Sequence, residues 1–200
     1  MPATGAARLI KPRRTKEALI SVSASQAVPA TRSPLFLAAF AIAITSAATI
    51  LGAYFFQYVM GLSPCPLCLQ QRIPYYIAIP FGLVLAIAAL RGARPSLIRG
   101  GLATLAVVLM VGVALGAYHA GVEWKMWAGP TDCTGPISDF GSTGSLLQQM
   151  QTTSVVRCDE AAWRFLGLSL AGYNALISAA LATVAIGAVA INLRQEKLYP

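Results

Sequence analysis

Four stretches of this 200-residue chain hold no Asp, Glu, Lys or Arg: residues 35–60, 73–90, 100–118 and 165–192. A helix needs about 20 mostly apolar residues to cross a hydrocarbon layer of about 30 Å. Helices of a soluble protein keep a charged face toward water, so four such runs predict an all-α integral membrane four-helix bundle. The last run exceeds what a span needs, which predicts a tilt or an end in the interface. Composition agrees: 56% of residues are hydrophobic and 11% charged, against about 45–50% and about 25% in soluble domains. A disordered chain is excluded on the same ground. The net charge of +8 does not imply nucleic acid, because a nucleic-acid binder needs a polar basic face.

Local features refine the spans. Pro74 suits a first helical turn, and Pro80 predicts a kink in the second span. Gly112 and Gly116 form a small-xxx-small pattern that suits close packing inside the bundle. Residues 1–34 carry Arg8, Lys11, Arg13, Arg14, Lys16 and Arg32 against Glu17, which reads as a disordered basic tail able to lie on anionic lipid. The apolar run behind it is too long for a cleaved signal peptide.

Charge between the spans sets the orientation. Residues 61–72 carry only Arg72, and residues 91–99 carry Arg91, Arg94 and Arg99 without an acid. Residues 119–164 carry Glu123, Asp132, Asp139, Asp159 and Glu160 against Lys125, Arg157 and Arg164. Lys and Arg collect on the cytoplasmic side. Both termini, including the tail at 194–200, and the 91–99 link are therefore expected in the cytoplasm. The 61–72 segment and the long 119–164 loop between helices 3 and 4 face outward, and the transmembrane domain is expected over residues 35–193.

All four cysteines, Cys65, Cys68, Cys133 and Cys158, fall in the two outward segments, where disulfides persist. Cys65-Pro-Leu-Cys68 is a C-x-x-C just before the second span. In such pairs one thiol is commonly acidified, and the thiolate is the nucleophile. Cys68 is expected near the helix N-terminus, whose partial positive charge favours a thiolate. With the helix begun, Arg72 shares its face at i+4. Arg72 stands on the side where a base is least expected, or it snorkels to headgroups. Cys133 and Cys158 lack zinc-ligand spacing, so no metal is expected. A pair of structural disulfides explains the loop cysteines but accounts poorly for a C-x-x-C. Thiol–disulfide exchange between two pairs needs an outlet for two electrons. The chain has no G-x-G-x-x-G after a strand, and a lipid-soluble quinone fits the position of the C-x-x-C. Residues 145–156 suit a short surface-lying amphipathic helix or a polar loop.

Cys65-Pro-Leu-Cys68-Leu-Gln-Gln-Arg72 resembles the C-x-x-C-x-x-x-R motif of the DsbB family of bacterial inner-membrane disulfide bond formation proteins. His119 at the end of the third span, the Cys133/Cys158 pair and Trp163-Arg-Phe-Leu-Gly-Leu168 resemble that family in the same order. The resemblance implies an enzyme that reoxidises a periplasmic thioredoxin-fold oxidase (DsbA-like) and passes electrons to ubiquinone or menaquinone. It implies that Cys133 and Cys158 form the disulfide attacked by the partner, with Cys133 the mixed-disulfide site. Cys65 and Cys68 reoxidise that pair, Cys68 faces the quinone as thiolate, Arg72 binds its oxygen, and His119 lies beside it. A relative of the vitamin K epoxide reductases is the alternative, but there the C-x-x-C lies late in the chain. A non-enzymatic membrane protein would carry ionisable residues within its spans, and these runs have none.

Overall fold

The computed structural model describes residues 33–130 and 158–198. Among them, four helical segments are long and apolar enough to cross a membrane, as the charge-free runs predict. Helix α1 spans Pro34–Tyr54, capped by the Ser33 hydroxyl, which accepts from the Phe36 N–H, and continues as a π-helical turn over Phe55–Val59. A one-turn helix, α2 (Pro66–Gln70), leads into α3 (Ile73–Leu90). Helix α4 is Pro95–Glu123 and α5 is Leu170–Leu198.

The helices pack in a ring, α1 on α3, α3 on α4, α4 on α5 and α5 on α1. The shared core is built from Ile42, Leu102, Leu105 and Leu109 with Ala39, Ala78, Ala182 and Ala185. The small residues let the backbones approach closely, which supplies packing where lipid removes a hydrophobic drive. Gly112 and Gly116 do this between α4 and α5. A Cβ on Gly112 would stand 2.8 Å from the Ser178 hydroxyl oxygen, and one on Gly116 2.8 Å from the Ala175 backbone nitrogen. The expected intra-bundle role of the pair is therefore seen directly. Large apolar side chains such as Leu51, Val84, Val107 and Ile186 face outward, an arrangement that suits hydrocarbon and not water.

The second span has the expected ends, Ile73–Leu90, with Pro74 in its first turn, but α2 ends at Gln70 and Arg72 is the N-cap residue of α3, so the expected continuous face from Cys68 is interrupted. Other boundaries differ from the sequence reading: α4 begins at Pro95, inside the expected link, and α5 runs on to Leu198. Helix α4 runs on past Tyr118 to Glu123, which brings His119 inside the helix. Residues 165–169, expected in the fourth span, instead join a hairpin pairing Arg164–Phe165 (β1) with Leu168–Ser169 (β2). Its turn residues Leu166 and Gly167 both have positive φ, the requirement of a tight hairpin turn. Helix α3 continues through Pro80.

The end of α1, α2, the end of α4 and the start of α5 meet at one end of the bundle. At the other end Arg99 of α4 hydrogen-bonds Asn192 (3.1 Å) and Glu196 of α5. Expectations for residues 1–32, Cys133 and the 145–156 segment lie outside the described residues.

Candidate functional site

Cys65 begins the site because it begins α2. Its backbone is extended, and its sulfur accepts from the Cys68 N–H at 3.2 Å, satisfying a donor that a helix start leaves open. Cys68, expected at the helix N-terminus, is the third residue of the turn, and Cys65 holds the cap. The C-x-x-C spacing and this turn bring the two sulfurs 2.8 Å apart. Both thiols are free. Cys65 is buried at 3% exposure, while Cys68 is partly open.

His119 approaches from α4, with Nε2 3.7 Å from the Cys65 sulfur. The Cys68 hydrogen bond first, and the His119 ring after it, pull the Cys65 thiol from its ordinary 9.0 to about 5 against the opposing effect of burial. The acidified sulfur is thus at Cys65. Cys158 is disulfide-bonded and buried in one cluster with Cys65 and Leu67, so a bridged sulfur and a free thiol pair share an apolar enclosure. Lys125, just past α4, holds the adjacent Asp159 at 2.6 Å.

A polar chain unforeseen in the sequence surrounds the histidine. Gln71 donates through Nε2 to the Leu67 carbonyl (3.3 Å) and lies 2.6 Å from His119 Nδ1. Asn174 of α5 donates to Gln71 Oε1 at 2.8 Å. Glu123, one turn beyond His119, places Oε1 3.8 Å from Nε2. Its Oε2 is buried without a hydrogen-bond partner among the described residues. The only advance signal for these three was placement: Gln71 follows the C-x-x-C, Glu123 is four residues from His119, and Asn174 is a polar residue in an apolar run.

Arg72 lies apart from the sulfurs' helix. The turn at residues 71–72 interrupts the expected i,i+4 face, yet Arg72 and Cys68 line the same cleft, together with Ile50, Phe56, His119 and Trp163. Arg72 donates to Gln57 at 2.8 Å, and its guanidinium sits 5.4 Å from the centre of the Tyr54 ring. Trp163 packs on Phe56 at 5.0 Å and stacks on Phe165 at 5.8 Å, which fastens the hairpin over the end of α1. The structure therefore gathers Cys65, Cys68, Arg72, His119 and Cys158 at one end of the bundle. Apolar side chains, a guanidinium and a thiol pair lining one cleft suit a planar conjugated dione. The sulfurs and the His119 Nε2 lie within 4.8 Å of one another, but with Nδ1 engaged by the Gln71 amide, Nε2 presents a proton to the sulfurs, which suits a thiolate rather than a cation.

A family model described as "Disulfide bond formation protein DsbB" matches residues 35–188. A curated "Disulfide bond formation protein B" of Azoarcus sp. is 31% identical over 172 residues, covering 80% of this chain and 93% of the relative. One of Xanthomonas oryzae pv. oryzae is 31% identical over 167 residues, covering 82% and 95%. One of Marinobacter nauticus is 33% identical over 135 residues, covering 62% and 73%.

Proposed function

The chain belongs to the DsbB family of membrane disulfide bond formation proteins, and from that premise we propose that it reoxidises a periplasmic DsbA-like thioredoxin-fold oxidase and delivers the two electrons to a membrane quinone. The observation that carries this reading is the enclosure shared by a free, acidified C-x-x-C and the bridged Cys158, beside a cleft that also holds Arg72.

The exchange runs in two balanced stages. The partner's dithiol attacks a disulfide between Cys133 and Cys158, with Cys133 the residue that carries the mixed disulfide. The partner leaves oxidised and the loop pair is reduced. The loop dithiol then attacks the Cys65–Cys68 disulfide, becomes a disulfide again and leaves two thiols at the C-x-x-C. Cys65, packed in one cluster with Cys158, is the sulfur placed for that exchange. It departs as a thiolate stabilised by the Cys68 thiol and the His119 ring, and an acidic thiol is the better leaving group. When bound, the quinone supplies a sink for two electrons and two protons. Cys68 faces the cleft from the C-x-x-C, Arg72 offers a charged hydrogen bond to a quinone oxygen, and Ile50, Phe56 and Trp163 shield the ring from water. The site faces the periplasm of a bacterial inner membrane, and both termini are cytoplasmic, as the placement of Arg91, Arg94 and Arg99 supports.

The test mixes the purified protein with a reduced thioredoxin-fold partner and a soluble quinone. Thiols are consumed in step with quinone reduction, and Cys133→Ala abolishes the trapped adduct with the partner. Thiol consumption that persists in Cys68→Ser, or an undiminished adduct in Cys133→Ala, overturns the reading.

A further inference from the structure

The hydrogen bonds around His119 have a direction fixed by one backbone atom. The Leu67 carbonyl can only accept, so the Gln71 atom 3.3 Å from it is the amide nitrogen. That same nitrogen is 2.6 Å from His119 Nδ1, so Nδ1 accepts and carries no hydrogen. The Gln71 oxygen is left for the Asn174 amide, which donates at 2.8 Å. In a neutral imidazole one nitrogen donates and the other accepts. The hydrogen is therefore on Nε2, the nitrogen 3.7 Å from the Cys65 sulfur. Gln71 and His119 are both buried, where mispairing a donor with a donor costs more than it does in water.

We propose that Gln71, held by Asn174, is a positioning residue that locks His119 in the Nε2–H tautomer and thereby aims a hydrogen-bond donor at the Cys65 sulfur. The lock deepens the dithiol oxidase reading, because it acts on the thiolate which that reading makes the leaving group. The ionisable groups facing the ring are Cys65 and Cys68 from α2 and Glu123 from its own helix. Glu123 Oε1 stands 3.8 Å from Nε2, and the Cys158 backbone hydrogen-bonds the same ring, so the imidazole is held between the C-x-x-C and the bridged cysteine. Asn174 never touches the imidazole in this scheme; it occupies the oxygen of the amide whose direction the Leu67 carbonyl sets.

His119 is the sole histidine of the chain, so full-length protein labelled with nitrogen-15 histidine gives a single ring in the magnetic resonance spectrum. Chemically reduced protein in detergent, with neither partner nor quinone, is expected to show the Nε2–H tautomer. Gln71→Leu removes the donor facing Nδ1 and leaves nothing to select a tautomer. The expected result is a mixture of the Nε2–H and Nδ1–H forms, with the Cys65 thiolate titrating higher by about one pH unit or more, the scale of one hydrogen bond to a charged group. Asn174→Leu keeps the Leu67 carbonyl in place and gives a smaller shift in the same direction. An Nδ1–H ring or an imidazolium in the reduced wild type overturns the proposal, and that spectrum decides even if a variant fails to fold. A folded Gln71→Leu protein that keeps the Nε2–H tautomer alone also overturns it. The functional reading fails separately, if the wild type shows the lock but quinone-linked thiol consumption is absent.

Discussion

The Cys65 sulfur lies 3.7 Å from Nε2 of His119 across 54 residues of sequence, and 2.8 Å from the Cys68 sulfur. Together they move the Cys65 titration from 9.0 to about 5. The reduced protein should therefore show one thiolate by ultraviolet absorbance already at pH 7, where an unperturbed cysteine is mostly protonated. His119→Ala should raise that midpoint by roughly one to two units, the equivalent of about 1.5–3 kcal/mol for a hydrogen bond to a charged group.

The same shift links pH to stability. Cys65 has a lower value in the folded protein than in the unfolded chain, so its contribution is present above the unfolded value and is lost as pH falls through about 5. Denaturation of the reduced protein in detergent should show stability rising between pH 5 and pH 8. The slope should shrink in Cys65→Ser, and an unchanged slope would show that other groups govern it.

Arg72 and the sulfurs line one cleft but belong to different helical segments. Arg72→Ala should raise the quinone KM by roughly ten- to a hundredfold, the scale of one charged hydrogen bond. Exchange between the partner and the loop disulfide, followed under single-turnover conditions without quinone, should stay within about twofold. Arg72→Lys should recover little, because a point charge does not replace a planar fork.

Gly116 has no room for a side chain, since its Cβ would meet backbone atoms of Ala175. Gly116→Val should cost about 1–3 kcal/mol through overpacking, read as a lower midpoint of thermal unfolding. Gly187, with open space around the same atom, gives the contrasting substitution: Gly187→Ala should be neutral or slightly stabilising in a helix interior.

Leu166 occupies a left-handed backbone conformation at φ 50 with its side chain 86% exposed. A residue with a Cβ pays roughly 1–2 kcal/mol there, and Asn or Gly pays less. Leu166→Asn should raise the unfolding midpoint. A drop instead would mean that the exposed leucine is held by lipid more strongly than its backbone is strained.

What the sequence displayed openly was whatever depends on neighbours along the chain. Charge-free runs mark the spans, C-x-x-C-x-x-x-R marks a span boundary, and the bases separate one set of segments from the other. What it concealed depends on contacts across the fold. Gln71 reaches His119 over 48 residues and Asn174 over 103, and a polar residue shows no partner until the helices pack. Residues 165–169 looked helical because they are apolar, but a short apolar run does not distinguish strand from helix, and the paired positive φ at Leu166 and Gly167 decided for a hairpin. Arg72 lost its expected helical face because the chain turns at residues 71–72, although the sequence had placed it beside the right cysteine.

Cys158 is only 1% exposed and Cys65 only 3%. Burial of this degree leaves almost no sulfur surface at either position for bulk solutes. Cys68, partly open, is the sulfur of these three that a small solute meets first, so a tripeptide thiol or dissolved peroxide reaches the dithiol only by way of the cleft that Cys68 lines.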